Sequence, residues 1–183
     1  MTYNTQSAVL AALVYADEVT RGEGADALVR TVCHDLQRQG WRVGGLWQEH
    51  VPVTAGRKPP MQVVDLRTGQ VFGISQDCGA LSQGCCLDPG GVAQASVVLR
   101  QALADRVDLA VANRFGALEA TGRGLADELA ALACAGIPVL TVVARRHLDA
   151  WRNFTGGAGA ELPLHLPTLS DWCARALAHR ELA

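Results

Sequence analysis

Three short stretches carry residues of the types and spacing that could hold a small anion. In the first, Arg21, Gly22, Glu23 and Gly24 stand within VTRGEGADAL (19–28), just after the apolar run SAVLAALVYA (7–16). Glycines between a strand and a helix let successive backbone N–H groups turn toward an oxyanion, and the helix N-terminus adds its partial positive charge. The second stretch is SQGCCLDPGG (82–91). There Ser82, Gln83, Gly84, Cys85 and Cys86 offer N–H groups and polar donors ahead of a helix that Pro89 is suited to start. In the third, VDLAVAN (107–113) ends in Asn113 with Arg114 next, and the arginine offers a fixed fork of donors that matches tetrahedral oxyanions. Each has a plain alternative: a turn into a helix, a surface loop, a solvated arginine.

Phosphate chemistry makes stricter demands. A Walker-type loop needs a lysine for the phosphate charge and a Ser/Thr for magnesium. Gly22 and Gly24 fall where its last glycines belong, but Val19 takes the place of the first glycine, Ala25 that of the lysine and Asp26 that of the Ser/Thr. A nucleotide-hydrolysing site also wants an acid at the end of a second strand. That place is held by Asn113, with Arg114 beside it. The loop geometry is expected to survive here and the triphosphate chemistry to be lost. No nucleotide is expected, and no residue is assigned a catalytic role.

Other chemistries find little support. Cys78, Cys85 and Cys86 have no second pair at zinc spacing, and the five histidines show no H-x-x-x-H pattern, so no metal is assigned. No serine sits in a G-x-S-x-G elbow. Cys33, Cys134 and Cys173 read as small hydrophobes on helical apolar faces. Arg123 joins Arg21 and Arg114 in the candidate loops, with Glu119 or Asp127 as possible ion-pair partners.

The elements that must position these residues can be read from the apolar pattern. Strands are expected at 7–16, 41–51 and 107–113, and over IPVLTVV (137–143). MQVVDLRTGQVFGIS (61–75) reads as a β-hairpin turning at Arg67–Gly69. Helices are expected near 24–39, 90–104, 125–135, 147–153 and 169–179, with a glycine-rich loop at FTGGAGAEL (154–162). The two glycines of WRVGGLWQEHV imply close packing against a neighbouring strand. Alternation of strands and helices predicts an α/β domain, 1–183, with a mostly parallel sheet, helices on both faces and the hairpin added at one edge. Ligands in such folds bind beyond the carboxyl ends of the strands, which selects the loops 17–24, 75–89 and 113–124.

Composition narrows the partners. Of 183 residues 49% are hydrophobic and 19% charged, and the formal charge is −2, which gives no general field for nucleic acid. No apolar run reaches the ~20 residues that span a bilayer. MTYNTQ carries no basic segment of a signal peptide, and six cysteines make no disulfide framework, so a cytoplasmic location is expected. Trp41, Trp47, Trp151 and Trp172 are expected in the core or at a subunit interface, and a homo-oligomer is expected.

Two resemblances sharpen this reading. ANRFGALEA (112–120) and the hairpin around VVDLRTG resemble the thermophile-type nucleoside triphosphatases, small P-loop proteins whose corresponding strand ends in acids. Gly116 and Glu119 match their pattern, while Asn113 and Arg114 replace the acids. NRFGALEATGRGL, GIPVLTVV and SQGCCLDPG together resemble an uncharacterised bacterial domain-of-unknown-function family found near molybdenum transport genes, with NRFG-xx-E-xx-GRG as its signature. That resemblance implies a P-loop-NTPase-like fold and a molybdenum context. The expected function is therefore an oxyanion-binding protein, with molybdate or tungstate preferred, in molybdenum storage, buffering or sensing. A nucleoside-triphosphate-binding protein or weak triphosphatase is the alternative. A third reading is a regulatory partner of molybdenum transport or cofactor proteins without a ligand of its own.

Overall fold

A computed structural model of the chain describes residues 9–16, 22–50, 60–76 and 87–181. In chain order it contains β1 (Leu10–Tyr15), α1 (Glu23–Arg38), β2 (Val43–His50), β3 (Met61–Asp65), β4 (Val71–Gly73), α2 (Pro89–Ala104), β5 (Leu109–Phe115), α3 (Ala126–Cys134), β6 (Val139–Ala144), α4 (Leu148–Phe154), β7 (Ala160–Leu162) and α5 (Leu166–Glu181). The strands form one seven-stranded sheet in the order β4-β3-β2-β5-β6-β1-β7. Neighbours from β2 to β7 run parallel, and the β3–β4 hairpin adds two antiparallel strands at one edge. The fold is α/β and mostly parallel, compatible with a P-loop-like arrangement. Among the described residues no helix is long and apolar enough to cross a membrane.

Local chemistry explains the elements. The hairpin turn is tied by Asp65, whose carboxylate accepts from the Arg67 N–H at 2.9 Å and the Thr68 hydroxyl at 2.6 Å. Asp88 caps α2 by accepting from the Gly90 N–H at 3.0 Å, with Pro89 at the first helical position. Helix α1 buries Ala25, Asp26, Val29, Val32, Cys33 and Leu36, a stripe at helical spacing. β6 is buried along its whole length, as a central parallel strand must be.

The core lies in two layers, one on each face of the sheet. On one face α1 and α5 pack through Val29, Leu169 and Trp172 onto Leu13, Val111 and Val142. On the other, α2, α3 and α4 pack through Leu99, Leu129 and Trp151 onto Leu46, Ala112 and Val143. Helix α1 follows β1 on the first face, and α4 follows β6, the neighbour of β1, on the second. The switch point where ligands gather in open α/β sheets therefore falls at the carboxyl ends of β1 and β6.

Several details depart from the sequence pattern. β5 does not end at Asn113 but continues through Arg114 and Phe115. Its register with β6 shifts: Val111 pairs with Leu140, yet Arg114 pairs with Val142, so β5 carries one extra residue. Asn113 sits in this bulge with φ 34. The segment 154–162 holds the short strand β7, which pairs with β1. Cys134 is exposed, unlike Cys33 and Cys173. Trp151 and Trp172 are buried, whereas Trp41 and Trp47 are half-buried. The expected close approach of the β2 glycines is found at Gly45, where a Cβ would stand 2.0 Å from the Val111 carbonyl oxygen.

Candidate functional site

The carboxyl edge of the sheet gathers one charged cluster from elements far apart in sequence. Tyr15 ends β1, His50 ends β2, Arg114 lies near the end of β5, and Asp26 lies in the first turn of α1. Arg114 Nη2 donates to Asp26 Oδ2, and Arg114 Nη1 donates to the Tyr15 hydroxyl at 2.9 Å. The guanidinium carbon also sits 5.3 Å from the Tyr15 ring centre. His50 Nε2 reaches the same Asp26 oxygen at 2.5 Å, and its Nδ1 faces Glu23 at 3.6 Å. Gly22 caps α1 in a left-handed conformation with φ 81. A Cβ there would meet Arg114 Nη1 and the Tyr15 ring at 3.1 Å, so the bare glycine lets the turn pass over the guanidinium.

The electrostatics are set by burial. Asp26 is only 5% exposed and Arg114 is 20% exposed, while Glu23 faces solvent. Burial pushes the Asp26 carboxyl above its ordinary value, against the opposing pull of the Arg114 charge and the contact with His50. Arg114 Nε and Asn113 Oδ1 are buried without a hydrogen-bond partner among the described residues. The guanidinium fork is thus half used, with Nη2 on a carboxylate and Nε idle.

The other end of the NRFG-xx-E-xx-GRG signature does a different job. Glu119 is buried, and its carboxylate accepts from the backbone N–H of Gly116 at 2.9 Å and of Leu125 at 3.0 Å. It closes the loop from 116 to 125 on itself. A Cβ at Gly124 would come within 2.2 Å of Glu119 Oε1, which accounts for the last glycine of the signature. Arg123 therefore does not pair with Glu119; its Nε donates to the Thr121 hydroxyl at 3.3 Å. Nearby His147 has its basicity lowered, chiefly by burial and then by Arg146, with Glu119 opposing.

At the switch point itself a cavity of about 550 Å³ opens between Val14, Ala16, Arg145, Leu148, Leu162 and Leu164. Glu161 also lines it, but its carboxylate is bound by the Arg152 guanidinium at 2.7 and 2.9 Å. Arg145 directly follows the buried strand β6 and places a cation at this mouth.

Of the residues selected from sequence, the structure brings Gly22, Glu23 and Arg114 into one neighbourhood, with Asn113 next to Arg114 in the chain. Gly24 has open space where a Cβ would stand. Arg21, Ser82, Gln83, Gly84, Cys85 and Cys86 lie outside the described residues. Sequence reasoning missed Tyr15, His50 and Arg145 and gave Asp26 no partner. An acid on the buried stripe of α1, and a cation straight after a mostly apolar, fully buried strand, were the signals available. Among the described residues no cluster of three or more His, Cys, Asp or Glu could hold a metal ion.

Comparison with known proteins places the chain in a family. A family model described as "Protein of unknown function (DUF2478)" matches residues 10–172, and the chain belongs to that family. The chain is also 40% identical over 163 residues to the molybdenum import ATP-binding protein ModC 2 of Bradyrhizobium diazoefficiens. The match takes in 89% of this chain but only 18% of that protein. No solved structure matches.

Proposed function

We propose that this member of the family is an oxyanion-binding module, with molybdate or tungstate as its preferred ligand, serving molybdenum storage, buffering or sensing in the cytoplasm. The observation that carries the reading is the half-used guanidinium fork of Arg114 at the ligand-bearing edge of the sheet. It stands under the glycine turn of α1, where phosphate loops hold their anion. The similarity to a molybdenum import protein supports the choice of ligand. Gly22, Glu23 and Gly24 would line the anion with backbone N–H groups, Asn113 and Arg114 would face it, and Arg21 and the Ser82–Cys86 stretch would complete the enclosure.

The second reading is nucleotide binding, favoured by the name of the relative and by the parallel sheet. Against it, Ala25 stands in the lysine place and is fully buried in the core under α1, so no cation from that position faces the edge. Asp26, in the magnesium-binding place, is already committed to Arg114 and His50. Meeting the charge of a transferring phosphoryl group without such cations costs several kcal/mol. The ATP binding in the relative's name is then assigned to the rest of that much longer protein. Association with molybdenum transport or cofactor proteins, and with further copies of itself, belongs to the same proposal.

Elemental analysis of purified protein for Mo and W, beside calorimetric titrations with molybdate, tungstate, sulfate, phosphate, ATP and GTP, tests it. Binding of an inorganic oxyanion without triphosphate hydrolysis is expected. Magnesium-dependent phosphate release that is lost on changing Gly24 or Asn113 would transfer the assignment to the second reading.

A further inference from the structure

The same Arg114 nitrogen that a tetrahedral oxyanion would use is already in contact with an oxyanion, the carboxylate of Asp26. We propose that Asp26 is the gate of the anion site: an entering oxyanion takes Arg114 from it, and the Asp26–His50 pair takes up a proton as this happens. This rests on the reading of Arg114 as an anion ligand.

The argument is one of geometry and charge. Asp26 Oδ2 is shared by Arg114 from β5 and His50 from β2, while Tyr15 from β1 holds the other arm of the guanidinium. Glu23, on α1 itself, faces the second nitrogen of His50, and Arg30, further along α1, lies over the Trp47 ring of β2. With His50 neutral, the two carboxylates of Asp26 and Glu23 outweigh the single guanidinium of Arg114. A divalent anion therefore enters a neighbourhood already negative by one charge, and it enters next to a carboxylate buried to 5% exposure. Like charges in a desolvated site cannot both persist, so one must bind a proton. The proton comes from solvent to an Asp26 oxygen or to a ring nitrogen of His50, and the Asp26–His50 contact can hold it in either place. Once Nη2 is released, Nη2 and the idle Nε present the paired donors of the guanidinium to the incoming oxygens.

Because binding and protonation are linked, affinity falls as pH rises, by up to about tenfold per pH unit if one proton enters per anion. Calorimetry with tungstate and with sulfate, between about pH 6 and about pH 8 in buffers of different ionisation heat, reads the protons taken up directly. Uptake approaching one proton per anion is expected in the wild type. Asp26→Asn is expected to bind roughly tenfold more tightly near neutral pH, because the competing carboxylate no longer reduces the free population of Arg114. It should also lose most of the uptake. Glu23→Gln removes the same charge from the exposed side of the cluster and should gain far less. A wild type that binds anion with no proton uptake overturns the gate, whatever the fate of the variants. So does an Asp26→Asn gain no larger than that of Glu23→Gln. If neither wild type nor Asp26→Asn binds either anion, the anion reading of Arg114 fails first and the gate falls with it.

Discussion

Asp26 and Glu119 are both buried carboxylates at the same edge of one sheet, on opposite faces of it, and they are satisfied in opposite ways. Glu119, on the α4 side, accepts from two backbone N–H groups whose positions the loop itself fixes. Its loop rests beside Phe115, which meets Trp151 edge-on at 5.4 Å and Phe154 at 5.2 Å. Asp26, on the α1 side, is met among the described residues by the ends of side chains, Arg114 and His50, which can move or change charge without breaking the fold. Burial leaves its carboxyl above the ordinary value, against the pull of Arg114 and His50. A carboxylate held by backbone builds a loop, and one held by side chains stores a choice between partners.

The contrast can be broken most severely on the aromatic face. Trp151 is fully buried, and Trp151→Ala should cost about 3–5 kcal/mol in denaturant unfolding, the loss typical of a large aromatic removed from a core. Glu119→Ala strands two backbone donors of a closed loop. It should cost roughly 2–4 kcal/mol, since each hydrogen bond to a charged group is worth about 1.5–3 and the vacated space admits some water. If it costs less than about 0.5 kcal/mol, the surface average, the two carboxylates do not differ in the way described.

On the α1 face the larger effects should appear in binding. Arg114→Ala is expected to weaken oxyanion binding about ten- to a hundredfold, with Arg114→Lys recovering only part because the fork is lost. Equal binding by Arg114→Ala would remove that face from consideration as a site. The smallest effect concerns stability against pH. Because the folded carboxyl of Asp26 is raised, the protonated form is the one the fold favours. Its contribution is fully present below the ordinary carboxylate value and is lost as pH rises through the raised one. Wild type should therefore lose ground relative to Asp26→Asn from about pH 4 upward, measured as the difference in thermal midpoints. A constant difference across that range would mean that Asp26 is not perturbed.

Much of the fold was legible because it rests on periodicity. Runs such as IPVLTVV and the stripe through Val29, Val32 and Leu36 can bury themselves only as a parallel strand and an amphipathic helix. β7 escaped notice because three residues carry too little pattern, and its pairing with β1 is decided by tertiary position. The candidate site was half legible. Arg114 and the glycines of the turn stand out by type and place. The partners do not: His50 meets Asp26 across 24 residues and Arg114 meets it across 88, separations that no spacing rule encodes. Glu119 was visible as part of a signature, but its task of binding backbone amides is a matter of loop geometry.

The extra residue in β5 has a consequence for how such an edge changes over time. Leu109 and Val111 face α1, Ala110 and Ala112 face the other layer, and simple alternation would turn residue 113 toward α1. The bulge shifts the phase, so Arg114 takes that aim and Phe115 goes to the opposite core. Thr141 pins the shift by donating to the carbonyl of Ala112 at 3.1 Å. A straight strand would turn the side chain of position 113 toward the α1 face, and the bulged one turns its successor there. The sign of charge at the mouth is thus governed by reading frame within the strand, and gain or loss of a single codon there exchanges one side chain for the next while every other residue keeps its identity.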